Sequence, residues 1–393
     1  MAAFDDIKTT LTRLGKRGLY RRRRVVDSAL SRTLVVDGHE VLNFCSNDYL
    51  GLANDPRVAA AFAAGIERWG SGAGASHLVC GHTSAHHELE EALADFTGRE
   101  RALLFSTGYG ANVGTINALV STRDAVFEDR LNHASLLDGG WISRANFNWY
   151  EHCDARDLEA RLGSLDDAAG RVLVVSDGIF SMDGDMCPIE DLVSVAHGAG
   201  AWLMIDDAHG IGVQGAHGTG VVDPERFGTE DVPVLMATLG KAFGTFGAFV
   251  AGDESLIEYL IQRARNYIYT TALPSAVAVA TLASLDIVRK EDWRRAHLAE
   301  LIERFRSGAR QLALELMPSS TPIQPILIGD SGRAMAVSKA LEERGILITA
   351  IRPPTVPQGT ARLRVTLTAA HTAEDIDRLL ETLSDVIDPG AAE

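Results

Sequence analysis

The stretch RALLFSTGYGANVGTINALV, residues 101–120, reads as three elements in a row. RALLFS is a short apolar run of strand length, and Ser106-Thr107-Gly108-Tyr109-Gly110 is a glycine-rich turn. A helical segment then runs through GTINALV. A strand that leaves through such a turn into a helix is half of a crossover unit, the connection that parallel strands require. The same alternation returns downstream in RVLVVSD (171–177), AWLMIDD (201–207), VLMATLG (234–240) and GAFVAG (247–252). Each strand is short and apolar along its whole length, as expected where both faces are covered. The class predicted is α/β, with a mostly parallel central sheet and helices on both faces.

The chain around this core has 393 residues, more than one hydrophobic core usually fills, so a second domain is expected. The pattern changes past Pro274. A long charged helix, KEDWRRAHLAELIERFRSGARQLALEL, leads into IQPILIG, RAMAVSKALEERGILITAI and ARLRVTLT, and TAEDIDRLLETLSDVI closes the chain as a helix. The division expected is an N-terminal helix and β-hairpin over 1–45, a large domain over 46–284, and a smaller C-terminal α/β domain over 285–393. The hairpin is placed in RTLVVDGHEVLNF, around an Asp37-Gly38 turn.

The formal net charge of −16 argues against a general nucleic-acid partner, since phosphate binding needs local cation excess. The N-terminus has acidic residues early and no signal-type apolar core. Nowhere is there an apolar run of the roughly 18 residues that a membrane helix needs. Cys45, Cys80, Cys153 and Cys187 are scattered without a CxxC pair, which suits reduced thiols in the cytoplasm rather than a disulfide or zinc framework. Against this acidic background GLYRRRRVV, residues 18–26, is a local cation patch, either a solvated face or an anion site.

Three segments carry chemistry. In TLGKAFGTFGAF, Lys241 follows an apolar strand and is flanked by Gly240, Gly244 and Gly247. A lysine there is either a surface residue or, if the pocket is dry, an amine with lowered proton affinity that is free for Schiff-base chemistry. In WLMIDDAHG, strand alternation sends Asp206 and Asp207 to opposite faces, so one of them faces any site at the carboxyl edge. That carboxylate, with His209, suits a protonated ring nitrogen, a metal ion or an acid-capped turn. In LLFSTGYGANVG, the helix start after Gly108 and Tyr109 offers free N–H groups to a phosphate. Its Gly-x-Gly-x-x-x-Gly spacing is not the dinucleotide fingerprint. Phosphate cradle, carboxylate and amine at one sheet edge are what pyridoxal 5′-phosphate requires. The group His82, His86 and His87 fits a polar helix face, and no metal is expected.

Taken with NFCSNDYLGL, LNHASLLDG, GIFSMDGDMCPI, DDAHGIGVQG, YIYTTALPS and RLRVTLTAAHT, these segments resemble the α-oxoamine synthases, a branch of the fold-type-I pyridoxal-phosphate enzymes. The resemblance covers nearly the whole chain. The loop TAIRPPTVPQGTARLRVTLTAAHT (349–372) resembles the biotin-pathway branch of that family most. It implies a decarboxylative acyl transfer between L-alanine and a pimeloyl thioester, carried by coenzyme A (pimeloyl-CoA) or acyl carrier protein, in a homodimer with shared active sites. Siblings that pair glycine or serine with another acyl-CoA are the alternative, and a non-catalytic regulator with the same fold is a remoter one.

Residue by residue, the resemblance makes Lys241 the amine that holds the cofactor and moves the Cα proton. Asp206 becomes the partner of the ring nitrogen, and His133 the group stacked on the ring. His209 and Ser181 lie near the phenolic oxygen. Gly108, Tyr109 and Thr238 hold the phosphate, with Thr270 or Thr271 reaching in from the partner subunit. Asn47 and Arg352 clamp the amino-acid carboxylate, with Thr355 beside them, and Arg21 receives the far end of the acyl chain. Asp177, where many relatives carry glutamate, and His77, where arginine is frequent, depart from the family pattern without removing an atom that the chemistry needs.

Overall fold

The structure, a computed structural model, describes residues 4–166 and 170–387. Its centre is a seven-stranded sheet in the order Arg101–Phe105, Ala248–Gly252, Val234–Thr238, Trp202–Asp206, Val172–Asp177, Ala125–Asp129, Asn146–Tyr150. Ala248–Gly252 runs antiparallel to both its neighbours, and the other pairings are parallel. The apolar runs form strands covered on both faces, even at the edge strand Arg101–Phe105. Leu103, Leu104, Val174, Val175, Leu203, Met204 and Ile205 are all buried. Each such side chain contributes roughly 1.5–3 kcal/mol through burial.

Two strands were not legible in the sequence, Ala125–Asp129 and Asn146–Tyr150. The first ends in two acids, Glu128 and Asp129, that burial alone would disfavour. The second is one of the two sheet edges, and its polar, partly exposed residues give no apolar run.

The sequence turns act as expected. Asp37 and Gly38 take φ of 49° and 83°, both positive as a two-residue hairpin turn requires, and Val36 pairs with His39 across it. The hairpin strand His39–Asn43 also pairs in parallel with Ile346–Leu347, so the N-terminal segment is stitched to the C-terminal one. A separate antiparallel sheet there has the order Ile323–Gly329, Ala361–Thr366, Thr349–Ile351. The long charged helix expected over 290–316 is Asp292–Gln311, shorter at its C-terminal end, and a separate helix, Ser275–Lys290, precedes it with Glu291 between them. No described helix is long and apolar enough to cross a membrane.

What places the site is the shared direction of the parallel strands. Asp206, Asp177 and Thr238 all stand at carboxyl ends on one edge, and Asp177 lies opposite Asp206 in register. At that edge Gly244 has φ of +64°, and a Cβ there would sit 2.3 Å from the Ala53 backbone nitrogen. A Cβ on Gly240 would meet nothing nearer than 3.7 Å. Gly244→Ala is therefore expected to destabilise the protein by about 1–3 kcal/mol in chemical denaturation, with Gly240→Ala close to wild type. Equal midpoints for the two variants would contradict this packing.

Candidate active site

Lys241, His209, His133, Asp206 and Gly108 line one cavity of about 210 Å³ at the carboxyl edge. Tyr109, Ser181 and Thr238 are also in its wall. Asp206 points into the cavity. Its Oδ2 accepts from Asn112 Nδ2 at 2.7 Å and its Oδ1 from the Ala208 N–H at 2.9 Å. Asp207 faces the other way, accepting from the Val221 N–H at 2.8 Å, as strand alternation dictates.

Beside Asp206, burial first and the Asp206 charge second push the Asp177 carboxyl well above the usual range. Its Oδ2 accepts from the His133 N–H at 2.6 Å, which fixes the start of the helix Ala134–Ser143. The His133 side chain is fixed too. Its Nδ1 accepts from the Ser135 N–H at 3.3 Å and lies 2.7 Å from Ser135 Oγ. With Nδ1 engaged and burial lowering its proton affinity, His133 is a neutral imidazole whose proton sits on Nε2.

Lys241 Nζ lies 2.8 Å from His209 Nε2. His209 Nδ1 is 2.6 Å from the Tyr49 hydroxyl, which donates to Asn47 Oδ1 at 3.3 Å. Arg364 Nη2 donates to the same Asn47 oxygen at 3.2 Å, so a continuous chain links the amine to a guanidinium. Desolvation lowers Lys241 to about 8, against the pull of Asp206. Burial, and then Lys241, push His209 well below its ordinary value. The amine is therefore substantially neutral just above physiological pH, and its neighbour is an acceptor rather than a second cation.

The helix Gly108–Leu119 begins at the cavity, capped by Thr107, whose Oγ1 accepts from the Gly110 N–H at 3.0 Å. This supplies an anion site in the same cavity wall. Amine, carboxylate, flat imidazole and helix start match the aldehyde, ring nitrogen, ring face and phosphate of pyridoxal 5′-phosphate, so the donor set fits that group.

The comparisons with known proteins agree. Residues 39–383 match the family model for aminotransferase class I and II. An 8-amino-7-oxononanoate synthase of Pseudomonas putida (strain W619) is 60% identical over 380 residues, 97% of each chain. That of Methylococcus capsulatus is 58% identical over 97% of this chain and 98% of the relative. The chain belongs to the 8-amino-7-oxononanoate synthase family. Among solved structures, Sphingomonas wittichii serine palmitoyltransferase superposes with a TM-score of 0.92 at 32% identity, covering 98% of this chain and 97% of that one. The 8-amino-7-oxononanoate synthase of Francisella tularensis gives 0.77 at 31% identity, covering 88% and 97%. As a member of the family, the chain is a pyridoxal 5′-phosphate-dependent acyltransferase.

Within this 8-amino-7-oxononanoate synthase scaffold the remaining expected residues are more scattered. Asn47 joins the cavity chain, but Arg352 does not reach it. Arg352 sits in the turn after Thr349–Ile351, half-buried and without a side-chain hydrogen bond among the described residues, and Thr355 is exposed on the same turn. The guanidinium beside Asn47 is that of Arg364, buried, with Nε donating to the Ser181 carbonyl at 2.6 Å and Nη1 to Thr366 Oγ1 at 2.9 Å. The signal was in RLRVT. Two arginines at alternate positions of a wholly buried strand each need a partner, and Arg362 finds Asp183 while Arg364 finds the site. Tyr49, Asn112 and Ser135 were likewise missed, although all three stood inside quoted motifs. Thr270 and Thr271 are exposed outside the cavity wall.

Of the four arginines, Arg24 is tied bidentately to Glu342 at 2.6 and 3.0 Å and also to Asp37, which clamps the hairpin to the helix Ser331–Glu342. Arg21, Arg22 and Arg23 remain exposed around an open groove with Tyr20 and Met335.

An amine-selective reagent applied to cofactor-free protein is expected to label Lys241 with a midpoint near pH 8. The pH rise in labelling comes from loss of the ammonium proton, and Lys241→Ala should abolish that phase. A midpoint near the ordinary lysine value, about 10.4, would mean the pocket is wet.

Proposed function

We propose that the chain condenses L-alanine with a pimeloyl thioester, borne on coenzyme A or an acyl carrier protein, as a cytoplasmic homodimer in biotin biosynthesis. The products are 8-amino-7-oxononanoate, carbon dioxide and the free thiol. The observation that carries this reading is the roughly 60% identity, over nearly the full length, to relatives of that name, on a chain that keeps the complete amine–carboxylate–imidazole set.

When bound, pyridoxal phosphate supplies an aldehyde that captures amines and a ring that accepts the electron pair left at Cα. Lys241 would hold that aldehyde, and its amine is the group placed to remove the Cα proton of alanine. Its lowered proton affinity matches that task near neutrality. His209 receives the hydrogen bond from Nζ and so aims the amine. Asp206, fixed by Asn112 and the Ala208 N–H, keeps a proton on the ring nitrogen. His133, in the cavity wall, would lie against the ring and present Nε2–H to the developing charge on the acyl oxygen. Gly108, Tyr109 and Thr238 hold the phosphate, with Thr270 or Thr271 of the second copy. Exposed Tyr269 and Val79 near those threonines support a covered face there.

We assign the alanine carboxylate to Arg364 with Asn47, since a buried guanidinium offers a planar fork where a small substrate's acid group must be held. Arg21 takes the distal end of the acyl chain. Arg364→Lys is expected to raise the KM for L-alanine about 10- to 100-fold, the equivalent of losing about 1.5–3 kcal/mol of charged hydrogen bonding, while Arg352→Ala changes it less than about threefold. The reverse ranking would hand the clamp back to Arg352. Arg21→Ala should raise the KM for the acyl thioester and leave that for alanine nearly unchanged. Equal effects on both substrates would remove its assignment.

The activity itself is tested with purified holoenzyme and a matrix of amino acids against acyl thioesters, reading thiol and carbon dioxide release. L-Alanine with pimeloyl-CoA or pimeloyl carrier protein should exceed glycine or serine with short- or long-chain acyl-CoA. Preference for one of those other pairs would place the chain with a sibling synthase.

A further inference from the structure

Outside the cavity, two groups among the described residues bring potential metal ligands together, and the one around His152 and Cys153 has the chemistry of a zinc-class site. His152 and Cys153 follow the edge strand Asn146–Tyr150, Asp129 ends the strand next to it, and Asp185 lies in the turn 178–187 that also carries Ser181. His152 Nε2 is 2.8 Å from Asp185 Oδ2 and 3.7 Å from Cys153 Sγ, and Sγ is 3.9 Å from that Asp185 oxygen. Imidazole nitrogen, thiol sulfur and carboxylate oxygen thus form a small triangle. Tetrahedral zinc, with bonds of about 2.0–2.3 Å to these atoms, spans edges of about 3.3–3.6 Å, so a slight rotation of Asp185 completes the fit.

Two further observations point to a ligand there. The other ring nitrogen, Nδ1, faces both oxygens of Asp129 at 3.0 and 3.2 Å. Asp129 is itself buried and held by the Cys153 and Leu131 N–H groups at 2.7 and 2.8 Å. A carboxylate that fixes the tautomer and plane of a ligating histidine is the usual outer partner of a metal-bound imidazole. Independently, Asp185 Oδ1 is buried with no hydrogen-bond partner among the described residues. A carboxylate oxygen in that condition calls for a donor or a cation. The side chains of His152 and Asp185 remain about a quarter exposed, at 24% and 26%, which leaves a route for an ion and for water.

We propose that His152, Cys153 and Asp185 bind one divalent cation of the zinc class, with Asp129 orienting the imidazole and a water molecule as fourth ligand. The thiolate and imidazole select a borderline-soft ion over magnesium or calcium. On binding, the ion replaces the proton shared by His152 Nε2 and Asp185 and the proton of the thiol, and both are released to solvent. The ion then cross-links the turn after the edge strand to the 178–187 turn, whose Ser181 carbonyl receives Arg364.

The test is calorimetric titration of chelator-treated holoenzyme with ZnCl2 in buffers of different ionisation enthalpy. The expected result is one equivalent per chain, with heats that follow the buffer because protons leave. Cys153→Ser and Asp185→Asn should each weaken binding at least about tenfold, while the visible absorbance of bound cofactor shows that both variants remain folded. His87→Ala, which removes the exposed member of the His82–His87–Glu90 group, should leave the titration unchanged. Absence of binding in the wild type, equal affinity in the Cys153 and Asp185 variants, or loss of binding in His87→Ala would each overturn the assignment.

Discussion

The arrangement depends on keeping an amine and an imidazole in contact in a place with little water. Lys241 Nζ and His209 Nε2 are 2.8 Å apart, and both would ordinarily compete for positive charge. Desolvation resolves the competition by lowering both, the imidazole far below its usual value and the amine to about 8. What remains is an amine near its working proton affinity and a neutral ring that aims it. Tyr49, Asn47 and Arg364 extend this contact into a chain that also reaches the Ser181 carbonyl. The position of the amine and the position of the Arg364 guanidinium are therefore one geometric problem, solved by one set of hydrogen bonds.

The fold supplies the constraint from two sides. Parallel strands put Asp177, Asp206 and Thr238 on one edge, and the turn after the lysine folds back on the Asn47–Leu52 segment. Gly244 has to be glycine there, since its left-handed backbone lies against Leu52 and Ala53. The N-terminal hairpin pairs with Ile346–Leu347 and is clamped by Arg24 to Glu342, which connects the segment bearing Asn47 and Tyr49 to the part of the chain that delivers Arg364. Residues more than 300 positions apart in sequence thereby meet in one wall of the site.

Five strands of the central sheet and the three chemical segments were legible because burial leaves apolar runs, and because glycine-flanked lysine and strand-end acids leave local patterns. The inner strand Ala125–Asp129 was hidden by its two terminal acids. Asp206 rather than Asp207 follows from the resemblance together with strand alternation. The edge strand Asn146–Tyr150 was not legible, since a half-exposed edge needs no apolar run. Arg364 was passed over for Arg352 because local sequence shows a cation but not its burial. A loop arginine and a strand arginine look alike until the strand is known to be wholly covered. Tyr49 was hidden for a similar reason, because its role is a bond to His209, 160 residues away.

The most direct test of this account is exchange of the alanine Cα proton for solvent deuterium by the holoenzyme, followed by NMR without any acyl substrate. The account expects steady exchange in the wild type and its loss in Lys241→Ala, with Arg364→Lys recovering exchange only at high alanine concentration. Exchange at the wild-type rate in Lys241→Ala would show that another group moves the proton, and would contradict the role given to the buried amine.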